Sequence, residues 1–305
     1  MRTTLGNMAI TVNEPCIQPL SASWYSPFVQ QIDILRLDIL HPVVSGNKWY
    51  KLKCNIQFSI EQGHKTILTF GGGYSNHLVA AAATAQQFGL GAVGIVRGQY
   101  DQLTPTLLAC KEYGMELAFI PHEQYKRKAD EVWLNKLLQQ YNQPYVIPEG
   151  GANQQGREGT EEISQDIPSF YTHICLSVGT GTTFIGLRNS IDAAQQLLGY
   201  VPMKGGAYIK SDITPFLKEH HNTNWVLFDE YHFGGFGKWN SELVAFMNDF
   251  YIVNNIPLDI VYTSKMMFGI RSQLRAGYFP VEAKILCIHT GGLQGNSSVA
   301  EKLIY

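Results

Sequence analysis

The stretch TILTF-GGGYSNH-LVAAAATAQQF, residues 66–88, joins a short apolar run, a glycine-rich turn and a longer apolar segment. The first part predicts a buried strand and the last part predicts a helix that stops at Gly89. The same order recurs around HICLSVG (173–179), where the pattern predicts a strand and then a helix from Phe184 to Leu198. Strands that alternate with helices, with glycines at the strand ends, predict an α/β protein with parallel sheets.

The rest of the chain continues this alternation. Further strands are predicted at 32–40, 91–98, 116–121, 145–148 and 284–292, and further helices at 47–62, from about Pro105 and around 123–142.

Length, composition and charge exclude several classes of protein. The chain has 305 residues, about two domains' worth, and 45% of them are hydrophobic, which excludes disorder as the main state. Its 23 basic and 25 acidic residues predict neither a nucleic-acid surface nor a polybasic membrane patch. The five cysteines are widely spaced, so neither a disulfide framework nor a metal site is expected. With no apolar run long enough to cross a bilayer, we expect a cytoplasmic protein.

The segment VVSGNKWYKLK (43–53) carries a candidate reactive amine. Asn47 is predicted to cap a helix, which places Lys48 in the first turn and Lys51 one turn further on. The helix N-terminus and the second lysine both disfavour the ammonium form of Lys48 and should lower its pKa from about 10.4. A partly neutral lysine suits Schiff-base chemistry. The alternative is a solvated surface lysine.

Two glycine-rich turns are candidate anion sites. In FGGGYSNH (70–77) the residues Ser75, Asn76 and His77 open a helix whose N–H groups suit a carboxylate or phosphate, although an ordinary capped turn is an equal alternative. In SVGTGTTFIGL (177–187) the backbone and the threonine hydroxyls favour a phosphate cradle. Its glycines do not match G-x-G-x-x-G, so a nicotinamide-dependent oxidoreductase is only a weak alternative.

Two later stretches complete the set. LDIVYTSKMMFGI (258–270) has Tyr262 and Thr263 before a helical pattern, where Thr263 or Ser264 could simply cap the helix. HTGGLQG (289–295) is a strand end followed by glycines, which suits either a loop or a backbone packed on a flat ligand. An amine for an aldehyde, a cradle for a phosphate and donors for a carboxylate together suit pyridoxal 5′-phosphate.

The stretches SGNKWYKLK, GGGYSNH, SVGTGTTFIGL, VYTSK and HTGG, in this order, resemble the 1-aminocyclopropane-1-carboxylate deaminase/D-cysteine desulfhydrase family. These are fold-type II pyridoxal-phosphate enzymes, the tryptophan synthase β-like group. The resemblance implies two three-layer α/β/α domains with mostly parallel sheets. Residues 1–52 and 152–305 would form the large cofactor-binding domain and residues 53–151 the small one. It also implies a homodimer and a small amino-acid substrate.

The resemblance also implies roles for individual residues. Lys48 would be the Schiff-base lysine and Lys51 the second family lysine, which does not bind the aldehyde. Asn76 would hydrogen-bond the phenolic oxygen of the cofactor. Ser75, with the amides of Asn76 and His77, would receive the substrate carboxylate, and Ser75 would assist proton transfer.

The remaining roles concern the phosphate and the ring. The phosphate would be held by Gly179, Thr180, Gly181, Thr182 and Thr183. Tyr262 would line the substrate site and act in catalysis, and Thr263 would face the pyridine nitrogen. At that position the family's deaminases resemble enzymes with a carboxylate side chain, whereas its desulfhydrases resemble enzymes with a threonine. The presence of Thr263 therefore favours β-elimination.

Three positions depart from the family pattern. Ser45 replaces the first glycine of Gly-Gly-Asn-Lys, Phe236 in GGFGKWN (234–240) replaces an active-site tyrosine of the deaminases, and His77 replaces their glutamine. The expected function is therefore a pyridoxal-phosphate-dependent lyase of the D-cysteine desulfhydrase type, giving a 2-oxo acid and ammonia. The alternatives are a 1-aminocyclopropane-1-carboxylate deaminase and a cofactor-binding sensor or reservoir with little turnover.

Overall fold

From residue 16 onwards, each short strand is followed by one or more helical segments. The structure, a computed structural model, describes residues 2–5 and 8–305. The strands are Arg2–Leu5 (β1), Met8–Thr11 (β2), Cys16–Pro19 (β3), Gln31–Arg36 (β4), Thr66–Gly71 (β5), Gly91–Arg97 (β6), Met115–Ile120 (β7), Tyr145–Ile147 (β8), His173–Ser177 (β9), Gln196–Tyr200 (β10), Trp225–Phe228 (β11) and Lys284–His289 (β12).

The α-helices lie mainly between the strands. They are Ala22–Tyr25 (α1), Asn47–Glu61 (α2), Asn76–Gln87 (α3), Pro105–Glu112 (α4), His122–Tyr125 (α5), Glu131–Gln139 (α6), Gln154–Glu161 (α7), Thr182–Ser190 (α8), Ile209–Ile213 (α9), Ser241–Asn254 (α10) and Thr263–Arg275 (α11). Among the described residues, no helix is both long and apolar enough to span a membrane.

Parallel pairing builds two main sheets. One has six strands in the order β11-β10-β9-β12-β4-β3, in which only the edge strand β3 runs antiparallel to its neighbour. The other has four parallel strands in the order β7-β6-β5-β8. The strands β1 and β2 form a separate antiparallel pair. In each sheet the parallel strands place their carboxyl ends on one edge. The loop after β5 leaves the four-stranded sheet at that edge, and the loops after β9 and β12 leave the six-stranded sheet at its corresponding edge.

Both faces of each main sheet are covered, which explains the continuous apolar runs in the sequence. In the four-stranded sheet, Ile67 packs with residues of α2 and α3, whereas its neighbour Leu68 packs with Leu137 of α6 on the other face. In the six-stranded sheet, Cys175 faces α10 and α11, whereas Ile174 faces α8. The predicted α/β architecture with mostly parallel sheets is confirmed.

One predicted helix is wrong in its second half. The segment from Phe184 to Leu198 was expected to be a single helix, but α8 ends at Ser190 and β10 begins at Gln196. The buried guanidinium of Arg188 donates to the carbonyl oxygens of Asp192 at 2.8 Å and Gln195 at 2.7 Å. These bonds hold the chain in a turn, which directs Gln196–Tyr200 into the sheet.

Three other predicted elements differ in extent. The strand expected at 284–292 ends at His289. The strand expected at 32–40 ends at Arg36. The helix expected around 123–142 is divided, because the Asp130 side chain accepts a hydrogen bond of 3.0 Å from the Trp133 amide and starts α6 anew.

Candidate active site

The helix α2 begins where the chain passes close to the end of β12. Its N-cap is Gly46, at φ +63°, and a Cβ atom on Gly46 would lie 2.0 Å from the carbonyl oxygen of Thr290. The prediction that Asn47 is the N-cap is therefore wrong, because only glycine fits this approach. Instead, the Asn47 side chain lies inside the first turn and its amide donates to the Thr183 hydroxyl at 2.9 Å.

Lys48 lies in that first turn, as predicted. Its Nζ donates to the Asn47 side-chain oxygen at 2.7 Å. Burial lowers the pKa of Lys48 to about 8, although the Asp259 carboxylate acts in the opposite direction. The lowered pKa agrees with the expectation, but the cause is removal from water, which disfavours the ammonium form.

Lys51 and His77 lie beside Lys48 and are more deeply buried. Burial, with a contribution from Lys48, lowers the pKa of Lys51 well below its ordinary value. The His77 Nε2 lies 2.9 Å from the Thr69 hydroxyl, and that hydroxyl donates its hydrogen to the Ile147 carbonyl oxygen. His77 Nε2 must therefore donate. Burial and the two lysines lower the pKa of His77 to about 3, so its ring is neutral.

The helix α3 starts with an open turn of backbone. Ser75 is its N-cap and accepts a hydrogen bond of 3.3 Å from the Leu78 amide, so one of the two predicted caps is confirmed. The amides of Asn76 and His77 belong to the first turn, whose N–H groups have no partner within a helix. Asn76 Nδ2 donates to the Gly292 carbonyl at 3.4 Å, while its buried Oδ1 has no hydrogen-bond partner among the described residues.

The glycine and threonine loop after β9 forms a cradle of backbone amides. Gly181 is the N-cap of α8 in a left-handed conformation, with φ +80°, and no side chain caps the helix. The hydroxyls of Thr180 and Thr182 lie 3.0 Å apart beside it. An uncapped helix N-terminus with hydroxyls next to it suits a phosphate or another anion.

The start of α11 is organised by a buried carboxylate. Asp259 Oδ1 accepts from the amides of Val261 and Tyr262 at 3.0 and 2.7 Å. Its Oδ2 accepts from the amide and hydroxyl of Thr263 at 2.8 and 2.6 Å. The suggestion that Thr263 or Ser264 caps this helix is therefore wrong, because Tyr262 is the N-cap residue and the Asp259 carboxylate accepts from the amides at the helix start. Burial and the Asp259 charge raise the pKa of Tyr262.

Glycines bring these separate stretches within contact distance. A Cβ atom on Gly179 would lie 3.4 Å from the Tyr262 ring, so this ring rests on the cradle. A Cβ atom on Gly292 would lie 3.2 Å from Asn76 Nδ2 and 3.5 Å from Asp259 Cγ. One place in the fold therefore holds residues from all the predicted stretches: Lys48, Ser75, Asn76, His77, Gly179, Thr180, Gly181, Thr182, Thr183, Tyr262, Thr263 and Gly292.

Two buried charged residues of this site were not predicted from the sequence, Asp259 and Lys265. Asp259 had a usable signal, because an aspartate just before a helical pattern is a typical cap. Lys265 had none, because its partners are the carbonyl oxygens of His232 and Gly235, about 30 residues away. In the described part of the chain, no group of histidine, cysteine and carboxylate side chains is placed to hold a metal ion.

The arrangement fits pyridoxal phosphate. The cofactor needs an unprotonated amine for its aldehyde, amides for its phosphate and polar partners for its ring. Lys48 offers the amine, the uncapped start of α8 offers the amides, and the unpartnered side-chain oxygen of Asn76 offers a ring partner.

Comparisons with known proteins agree with this geometry. A D-cysteine desulfhydrase of Klebsiella pneumoniae is 28% identical over 296 residues, covering 86% of this chain and 87% of its own. A Thermotoga maritima protein, provisionally named 1-aminocyclopropane-1-carboxylate deaminase, is 30% identical over 293 residues, covering 90% and 92%. The crystal structure of a deaminase homologue of that kind superposes with a TM-score of 0.81 at 27% identity, covering 95% of this chain and 93% of the other. Because residues 34–291 also match the model of the pyridoxal-phosphate dependent enzymes, the chain belongs to that family.

Proposed function

We propose that the chain is a pyridoxal-phosphate-dependent lyase that removes a β-substituent from a small amino acid, in the manner of a D-cysteine desulfhydrase. With cysteine and one water, the products are a 2-oxo acid, ammonia and hydrogen sulfide. The observation that carries the proposal is the Lys48 amine, with a pKa of about 8, on a helix that Asn47 ties to the cradle.

Different residues of the site would bind different parts of the cofactor. Gly179 to Thr183 would hold the phosphate, Asn76 the phenolic oxygen and Lys48 the aldehyde, while Thr263 would face the pyridine nitrogen. When bound, pyridoxal phosphate supplies an electron sink for the negative charge that develops at the substrate α-carbon.

Lys48 Nζ would be the base that accepts the proton from the substrate α-carbon. A base whose pKa lies near neutral pH is partly in its neutral form and still binds a proton strongly, which suits general base catalysis. Ser75 and the amides of Asn76 and His77 would hold the substrate carboxylate and orient the α-hydrogen towards that nitrogen. The His77 ring takes no part through charge, because it is neutral and its Nε2 is bonded to Thr69.

Two side chains support elimination rather than ring opening of 1-aminocyclopropane-1-carboxylate. Phe236 packs edge-on against Tyr262, with ring centroids 5.8 Å apart, so an apolar ring stands where deaminases carry a second phenol. Position 263 presents a hydroxyl, bonded to Asp259, and not a carboxylate of its own. A weaker electron sink at the ring suits substrates with a good leaving group.

The two main sheets support the proposed division into domains. The four-stranded sheet lies within 53–151, and the six-stranded sheet is built from residues before and after that segment. We propose that 53–151 closes over the substrate as a small domain and excludes water. The homodimer and the cytoplasmic location stay predictions.

The test is a substrate panel on the purified enzyme. Release of 2-oxo acid and ammonia is measured with D-cysteine, L-cysteine, D- and L-serine and 1-aminocyclopropane-1-carboxylate. We expect release from a cysteine enantiomer, its loss in Lys48→Ala and its retention in Lys53→Ala. Lys53 is the matched control, because it lies on the same helix but pairs with Glu162.

The other outcomes contradict the proposal in different ways. Release only from 1-aminocyclopropane-1-carboxylate would make the enzyme a deaminase. Cofactor binding without release from any amino acid would favour a sensor or reservoir. Equal activity of Lys48→Ala and the wild type would remove Lys48 from the chemistry.

A further inference from the structure

Residues 232–238, here called the strap, include Phe236, whose ring contacts the Tyr262 ring. The strap has four residues at positive φ, namely Phe233, Gly234, Gly235 and Gly237. Such a glycine-rich segment has little rigidity of its own, because glycine loses more conformational freedom on ordering than other residues do. Hydrogen bonds within the strap close its turns, and contacts from outside it must fix its position on the protein.

Lys265 of α11 holds the strap in position. Its side chain is only 2% exposed, and Nζ donates to the carbonyl oxygens of His232 at 2.9 Å and Gly235 at 2.8 Å. The His232 carbonyl also accepts from the Gly235 amide at 3.0 Å. The amine is bonded to two backbone carbonyls of one loop, and burial lowers the pKa of Lys265 to about 8. Burying an amine is costly unless it is hydrogen-bonded, and here the strap provides two acceptors for it.

The strap carries one aromatic side chain to the candidate active site. Phe236 is 52% exposed, and its ring meets the Tyr262 ring edge-on at an interplanar angle of 70°. The Tyr262 ring in turn rests on Gly179 of the cradle. At the other end of the strap, Phe233 packs on Phe268 of α11 with ring centroids 4.8 Å apart. Contacts therefore run without a break from Lys265 through the strap to the cradle.

We propose that Lys265 is a positioning residue that holds Phe236 over Tyr262, so that the strap forms the apolar wall of the substrate entrance. The Lys265 amine is bonded to the strap carbonyls, so in this proposal it acts only through the strap. The identity of the substrate rests on the proposed function, whereas the hold of Lys265 on the strap does not.

Limited proteolysis of the holoenzyme tests the hold without any substrate. Trypsin cleavage after Lys238, an exposed residue at the end of the strap, is followed by mass spectrometry alongside cleavage after the distant, exposed Lys126. In Lys265→Met we expect cleavage at Lys238 to be about tenfold faster and cleavage at Lys126 to be unchanged, because only the strap opens locally. Equal acceleration at both sites, or at neither, would overturn the proposal.

A double-mutant cycle with Phe236→Ala then tests the route of action. If Lys265 acts through Phe236, Lys265→Met raises KM about threefold or more in the wild type and changes nothing further in Phe236→Ala. An equal effect of Lys265→Met in both backgrounds would mean that the lysine is merely structural, and it would contradict the proposal.

If Lys265→Met does not fold, Lys265→Gln replaces it, because glutamine keeps hydrogen-bond donors at a similar size. The expected rise in cleavage at Lys238 is then smaller. Should no amino acid be turned over, the proposed function fails while the proteolysis result still decides the role of Lys265.

Discussion

The side-chain amide of Asn47 donates a hydrogen bond of 2.9 Å to the hydroxyl of Thr183. This bond joins the first turn of α2 to the first turn of α8. The oxygen of the same Asn47 side chain accepts from Lys48 Nζ at 2.7 Å. One asparagine therefore sets the separation between the candidate reactive amine and the cradle.

A double-mutant cycle should detect this bond. We expect Asn47→Ala and Thr183→Val to couple by about 1 kcal/mol in the free energy of unfolding, the usual net contribution of a buried hydrogen bond. The measurement is urea unfolding of the two single variants, the double variant and the wild type.

The neighbouring Thr180→Val is the matched control for that cycle. Thr180 belongs to the same loop, but its hydroxyl lies beside Thr182 and not beside Asn47. Its effect should add to that of Asn47→Ala. Equal coupling of Asn47 to both threonines would show that the loop responds as a whole and that the single bond is unimportant.

The left-handed conformation of Gly181 should be essential for retaining the cofactor. A Cβ atom there would lie 2.7 Å from Ile213 Cγ1, at a backbone φ of +80°. Gly181→Ala should therefore distort the cradle and weaken retention of pyridoxal phosphate by about tenfold or more, the equivalent of roughly 1.4 kcal/mol. Equilibrium dialysis gives the affinity.

Gly205→Ala is the control for Gly181→Ala. Gly205 also has positive φ, at +70°, but no atom lies within 4 Å of the Cβ position. Both substitutions incur the backbone cost of roughly 1–2 kcal/mol, and only the one in the cradle should change cofactor affinity. A similar loss of affinity in both variants would trace the effect to general destabilisation.

The pKa of Lys48 should govern how fast the apo-enzyme captures the cofactor. The neutral amine reacts, so the capture rate rises with pH and levels off above about 8, whereas an ordinary lysine amine gains neutral form up to its pKa of 10.5. Dividing the capture rate by the rate at which the cofactor reacts with Nα-acetyl-lysine cancels the titration of the cofactor. This ratio should be constant below about pH 8 and fall above it. A ratio that stays constant up to pH 10.5 would mean an ordinary solvated lysine.

Local patterns predicted the elements that bear the site but not the contacts among them. The strands before Gly71 and Gly179 and the position of Lys48 followed from apolar periodicity and glycine placement, which are local properties. Gly46 replaced Asn47 as N-cap because the Thr290 carbonyl, 244 positions away along the chain, approaches it closely. No property of the residues around Asn47 could have indicated that approach.

The end of α8 shows the same limit. The residues after Ser190 have apolar spacing that fits a helix as well as a buried strand. The buried Arg188 guanidinium decides between them by bonding the turn carbonyls, and its burial depends on the surrounding sheet. Asp259 is the opposite case, because an aspartate shortly before a helical pattern is a local signal for a carboxylate that accepts from the amides at the helix start.

The most direct test identifies the lysine that carries the cofactor. The holoenzyme is reduced with borohydride and digested, and the modified peptide is sequenced by mass spectrometry. We expect a phosphopyridoxyl group on Lys48. The same group on Lys51, one turn further along α2, or on Lys265 would contradict it.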